Sequence, residues 1–136
     1  MVEIRKVTDG FAVAPQIGPD DVEAIAAAGY KTIVANRPDG EGGITQPRMG
    51  AIRTKAEELG LAFVAIPFSG APTPEILERI GAALAEAPSP VLAYCRTGTR
   101  SITAWALTHA GQGMGEEIVD TAAGAGYDLS SLRALL

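Results

Sequence analysis

Cys95 is the only cysteine in the chain, and the residues that follow it, Arg96-Thr97-Gly98-Thr99-Arg100-Ser101, are of types that make a thiol react. Before it, Pro90-Val91-Leu92-Ala93-Tyr94 reads as a buried strand that stops at the thiol. A tight turn around Gly98 comes next, and a helix begins around Arg100-Ser101. A thiol at such a strand tip faces loop N–H groups and a helix N-terminus, which attract anions, and a thiolate is an anion. Arg96 and Arg100 add positive charge, and electropositive surroundings are the mark of a nucleophilic cysteine. The planar fork of Arg100 suits two-point contact with an oxyanion. Thr97 and Thr99 offer hydroxyls to the loop, and Gly98 lets the chain turn tightly. Ser101 either joins them or caps the following helix. Arg37 either extends the anion site from another strand tip or pairs with Asp39 or Glu41.

Two plainer readings stand beside this one. Cys95 could fill a core gap, the usual fate of a free cysteine, but a filler does not need two arginines, two threonines and a glycine within five residues. The loop could also bind an anion or a partner without reacting with it.

The elements that must position the loop follow from periodicity. Val2 to Val7 alternates, Asp9-Gly10 turns, and Phe11 to Ala14 returns, which predicts a hairpin. Gly18-Pro19-Asp20-Asp21 opens a helix with proline and acidic residues in its first turn, and Gly29 ends it. Thr32 to Ala35 and Leu61 to Ile66 are short apolar runs of buried-strand type. Between them, Pro47 to Leu59 places Met49, Ile52, Ala56 and Leu59 at helical spacing. Thr73-Pro74-Glu75 starts another helix, with Ile76, Leu77, Ile80 and Leu84 inward and Glu75 as a charge at its N-terminus. Ser101 to His109 and Glu116 to Ala123 close the chain as helices. Strand–helix alternation of this kind predicts an α/β fold, a mainly parallel sheet with helices on both faces. Ligands then sit beyond the strand ends, at Asn36-Arg37, Pro67-Phe68-Ser69 and Cys95.

Composition narrows the class of function. With 136 residues the chain is one domain, large enough for a core of its own. A single cysteine excludes an internal disulfide and a Cys₄ zinc site, and no metal or other cofactor is expected. Sixteen acidic against eleven basic residues argue against nucleic acid or an anionic membrane as partner. Charges at Glu3, Arg5 and Lys6 do not suit a signal peptide, so the expected location is the cytoplasm. His109 lies at the far end of its helix from Cys95 and is not expected to act as a base. Trp105 reads as core. Asp39-Gly40-Glu41-Gly42-Gly43 matches no nucleotide-binding pattern and reads as a mobile loop bordering the site. Glu116, Glu117 and Asp120 form a charged face without an evident partner.

Cys95 to Ser101 resembles the active-site loop of the Cys-dependent superfamily of tyrosine and dual-specificity phosphatases and rhodaneses. Over nearly its whole length the chain is similar to the bacterial phosphatase-like domain of beta-lactamase-hydrolase-like proteins. Gly18-Pro19-Asp20-Asp21, Asn36-Arg37-Pro38-Asp39-Gly40-Glu41, Ile66-Pro67 and Gly124-Ala125-Gly126-Tyr127-Asp128-Leu129 carry that similarity in order. The resemblance implies a three-layer phosphatase-like fold, Cys95 as nucleophile and Arg100 as its anion-holding arginine. Fused relatives suggest a metallo-hydrolase as partner.

Three departures from the phosphatase pattern favour sulfur over phosphate. Four residues rather than five separate Cys95 from Arg100, a rhodanese-length loop suited to a persulfide. The segment Pro67 to Glu75 has no Asp to protonate a leaving oxygen, and Tyr94 replaces the usual His before the cysteine. Losing general acid catalysis typically costs 10²–10⁴-fold, whereas sulfite or a thiolate leaves unaided. The chain is therefore expected to be a sulfurtransferase that takes sulfane sulfur from a small anionic donor onto Cys95. An external acceptor then removes it, since no second cysteine can. A phosphatase acting through a Cys95 phospho-enzyme is the alternative.

Overall fold

The computed structural model describes residues 2–136. Five short strands alternate with helices: β1 (Arg5–Thr8), β2 (Phe11–Ala14), α1 (Val22–Ala27), β3 (Thr32–Ala35), α2 (Met49–Glu58), β4 (Ala62–Ala65), α3 (Pro74–Glu86), β5 (Val91–Tyr94), α4 (Thr99–Thr108) and α5 (Gly115–Gly124). The strands lie in the order β1-β2-β5-β3-β4. Only the β1–β2 hairpin is antiparallel; β2–β5, β5–β3 and β3–β4 are all parallel. The last strand in sequence is therefore central in space, and its C-terminal end opens between the ends of β2 and β3.

Alternation along β5 shows why helices cover both faces. Val91 and Ala93 join a core with Ile80 of α3, Ile102 and Trp105 of α4, and Ile118 of α5. Leu92 and Tyr94 point the other way, into a core with Ile25 of α1 and Ile52 and Ala56 of α2. Trp105 is core, 7% exposed, with its ring stacked on Phe11. The predicted three-layer α/β architecture is the observed one. Among the described residues no helix is long and apolar enough to cross a membrane.

Several boundaries differ from expectation for local reasons. The hairpin begins at Arg5, not Val2. Helix α2 starts at Met49 rather than Pro47, with the Asp39 carboxylate accepting its first N–H at 2.8 Å. Helix α4 starts at Thr99, two residues earlier than Ser101, because Gly98 takes a left-handed conformation (φ 94°) that turns the chain straight into the helix. Thr73 caps α3 as predicted, its hydroxyl accepting from Ile76 N at 3.2 Å. A 3₁₀ helix at Ser130–Leu135 was not foreseen, and its Arg133 pairs with Glu116 at 2.5 Å, giving that charged face a partner after all.

Candidate active site at the C-terminal end of the sheet

Because β2, β3, β4 and β5 run in parallel, the segments after Ala14, Ala35, Ala65 and Tyr94 all emerge at one edge. Cys95 is the first residue beyond β5. Its backbone N–H still bonds across to Ala14 O at 3.3 Å, which fixes where the thiol starts. The residue is 1% exposed and lies beneath its own loop. Gly98 N–H points back to the Cys95 Sγ at 3.0 Å. The loop thus aims a backbone donor at the sulfur and hands over to α4, whose N-terminus adds a favourable field for negative charge.

Arg96, Thr97 and Thr99 stand exposed on the outer side of the turn. The two threonine hydroxyls are 3.0 Å apart, and Thr97 Oγ1 lies 3.4 Å from the Thr99 amide. Arg96 O accepts from Gln16 N at 3.3 Å, tying the loop to the segment after β2. On the other side, Tyr127 Oη donates to Thr97 O at 2.9 Å.

Arg100, in the first turn of α4, is held by two neighbours. Its Nη1 donates to Phe68 O at 2.9 Å, and Glu41 takes both terminal nitrogens, Nη1 at 2.9 Å and Nη2 at 2.5 Å. Hydrogen bonding to Glu41, and then the charge of that carboxylate, raise the Arg100 pKa further. Glu41 responds in the opposite sense: its bonds to Arg100, and then to Arg37, hold its carboxyl below the usual carboxylate range. The ion-pair half of the Arg37 alternative is observed, its Nε binding Glu41 Oε1 at 3.0 Å; the side chain also lines a cleft with Arg96 and Arg100.

Ser101 does not cap α4, whose N-cap is Gly98; its hydroxyl donates to Asn36 Oδ1 at 2.8 Å in a buried pair, and Asn36 Nδ2 continues to Ile66 O at 3.0 Å. This chain of bonds ties α4 to the ends of β3 and β4. The segment 39–43 is more tightly held than a mobile loop, since Gln46 bonds both Gly42 N and Pro38 O and Asp39 caps α2. His109 sits at the C-terminal end of α4 against Trp105. Glu75 is exposed in the first turn of α3.

Two clefts meet above the loop and share Gly70, Arg96 and Arg100. One, about 610 Å³, is polar and includes Arg37 and Glu41. The other, about 450 Å³, is walled by Phe68, Pro72, Leu107, Leu132 and Leu135. Both fall in the size range of small-molecule sites. Among the described residues no three His, Cys, Asp or Glu side chains gather as a metal site.

Sequence reasoning missed two residues that touch this constellation. The sequence places Glu41 beside Arg37 in a loop bordering the site but does not pair it with Arg100, and it shows Tyr127 only within a family-like tail. Neither carries a local signal, because their partners lie 59 and 30 residues away.

A family model described as the phosphatase-like domain of beta-lactamase hydrolase-like protein matches residues 3–112. A beta-lactamase hydrolase-like protein of Agrobacterium fabrum is 32% identical over 127 residues, 91% of this chain and 29% of its own length. One from Xylella fastidiosa is 31% identical over 108 residues, 79% of this chain and 25% of its own. The chain thus spans less than a third of these relatives. A crystal structure of a candidate phosphatase from Neisseria meningitidis is 36% identical, covers 96% of this chain and 94% of its own, and superposes with a TM-score of 0.86.

Proposed function

Since the chain belongs to the family of phosphatase-like domains found in beta-lactamase hydrolase-like proteins, we propose that it is a phosphoester hydrolase working through a covalent intermediate on Cys95. The observation that carries this reading is the buried Sγ with Gly98 N–H at 3.0 Å, in a loop closed by an arginine whose fork Glu41 steadies. The Cys95 thiolate attacks phosphorus, forming an S–P bond as the ester P–O bond breaks. Water then attacks the thiophosphate, the S–P bond breaks, and inorganic phosphate leaves as the thiolate returns. Arg100 and the loop amides carry the charge on the phosphoryl oxygens.

Protonation of the leaving oxygen limits the substrates. Glu41 is the carboxylate at the mouth, and its two arginines keep it ionised, so it has no proton to give. Substrates are therefore phosphates whose leaving group departs without an acid: aryl esters or acyl phosphate anhydrides rather than alkyl esters.

The sequence-based preference for sulfur transfer is not supported by the relatives, which are described in terms of phosphatases. It remains the second reading, on the four-residue spacing between Cys95 and Arg100 and the missing Asp. The purified protein should be given an aryl phosphate and, separately, thiosulfate with cyanide, beside Cys95→Ser. Phosphate release lost in Cys95→Ser is the expected result. Thiocyanate formation with no phosphate release would replace the first reading by the second, and activity toward neither substrate would favour an anion-binding module.

A further inference from the structure

The peptide joining Thr97 to Gly98 is held from both sides. Its carbonyl oxygen accepts from Tyr127 Oη at 2.9 Å, and its N–H points to Cys95 Sγ at 3.0 Å. This bond is trans, the one cis bond among the described residues being Ser89–Pro90. In a trans peptide the C=O and N–H point in opposite directions. A donor that fixes the carbonyl outward therefore fixes the N–H inward. Turned over, the same peptide would aim a carbonyl oxygen at the sulfur and oppose both a thiolate and a bound anion.

We propose that Tyr127 is a positioning residue for Cys95, its hydroxyl setting which way the 97–98 peptide faces and so whether the loop presents a donor to the nucleophile. The inference depends on Cys95 being the nucleophile, not on which group it accepts.

Three features show that the contact is fitted. A peptide next to glycine turns over most easily, and Gly98 is already at φ 94°, so this is the loop's softest point. A Cβ on Gly98 would collide with Tyr127 Oη, which means the hydroxyl packs into the space left by the missing side chain. Tyr127 is itself braced: its N–H bonds Ala122 O at 2.9 Å, and the Arg5 guanidinium sits 5.6 Å from the ring centre while bonding Ala125 O. Burial raises the tyrosine pKa above its usual value, so the hydroxyl keeps its proton and remains a donor at neutral pH. The residue also lies outside the segment matched by the family model, 3–112.

Tyr127→Phe keeps the ring and removes only the donor. The pH dependence of Cys95 alkylation by iodoacetamide reads the effect directly. The midpoint should move to higher pH by about one unit, the size expected for losing one N–H donor to a charged acceptor. Protection of Cys95 by inorganic phosphate should weaken by about tenfold for the same reason, while the thermal unfolding midpoint changes little. In the wild-type protein the Gly98 amide resonance should follow ionisation of the thiol, and in Tyr127→Phe that response should shrink. An unchanged alkylation profile in the variant would overturn the proposal. So would a wild-type Gly98 resonance that ignores the thiol, a measurement that stands even if the variant does not fold. None of these readouts needs turnover, so a failed phosphatase assay and a failed positioning role are separable.

Discussion

Glu41 grips the end of the Arg100 guanidinium with both carboxylate oxygens, Oε1 to Nη2 at 2.5 Å and Oε2 to Nη1 at 2.9 Å. The pair joins the segment after β3 to the first turn of α4 and leaves Arg100 Nε without a partner among the described residues. The Nε–Nη2 edge is thus the one available for two-point contact with a bound anion. Glu41 acts through Arg100, fixing the plane of the fork. Glu41→Gln should leave the fold intact and lower kcat/KM for an aryl phosphate by about tenfold, the scale of a charge-assisted hydrogen bond. The same variant tests the electrostatics. Because the Glu41 carboxyl is held below its ordinary value of 4.5, its contribution to stability is fully present above that pH and is lost as pH falls through the folded-state value. The stability gap between wild type and Glu41→Gln in urea should therefore be constant near neutrality and shrink as the pH falls below 4.5, the ordinary value of the carboxyl. A gap that persists unchanged in acid would show that the charge is not what stabilises the pair.

Arg100→Lys keeps the positive charge but not the planar fork. Lysine cannot reproduce the two contacts to Glu41, the contact to Phe68 O and an anion contact at once. Phosphate protection of Cys95 against alkylation should weaken by about 10–100-fold, the range for losing a hydrogen bond to a charged group. Equal protection would mean that charge alone holds the anion.

Ser101→Ala separates a structural serine from a catalytic one. It leaves Asn36 Oδ1 buried without its donor. The expected cost is about 1–3 kcal/mol of unfolding free energy, measured by urea titration, with kcat reduced less than threefold. A large fall in kcat at unchanged stability would return Ser101 to the reacting centre.

Much of this molecule can be read locally, and the rest depends on strand order. Apolar runs between Gly and Pro punctuation located β3, β4 and β5 to within a residue or two, and alternation within β5 implied helices on both faces. Nothing in Val91-Leu92-Ala93-Tyr94 says that it lies between β2 and β3, because pairing is decided by segments far apart in sequence. That placement is what brings Glu41 to Arg100 and Asn36 to Ser101, across 59 and 65 residues. Ser101 consequently looked like a cap or a loop hydroxyl, since the first turn of a helix is where such serines usually work. Arg100 and Cys95 were legible because their relation is one of spacing within a single turn. The same reliance on local spacing tilted the reading toward sulfur, while the similarity along almost the whole chain is to a phosphatase-like family.

The apolar cleft beside the loop tests the substrate class. Leu132 and Leu135, from the 3₁₀ helix that follows α5, face Leu107 of α4 across a space of about 450 Å³ that opens onto Arg96 and Arg100. An anion held by the loop would extend its organic part along this wall. Leu135 is 62% exposed, so Leu135→Ala should leave stability within the ordinary range of a surface substitution. Removing its outer carbons takes away part of the apolar contact, worth about 0.8 kcal/mol for each fully buried methylene. The variant should therefore raise KM for an aryl phosphate by roughly fivefold and leave hydrolysis of acetyl phosphate, too short to reach the leucines, unaffected. If both substrates lose activity equally, Leu135 supports the loop rather than the substrate, and the organic group lies in the polar cleft by Arg37 and Glu41 instead.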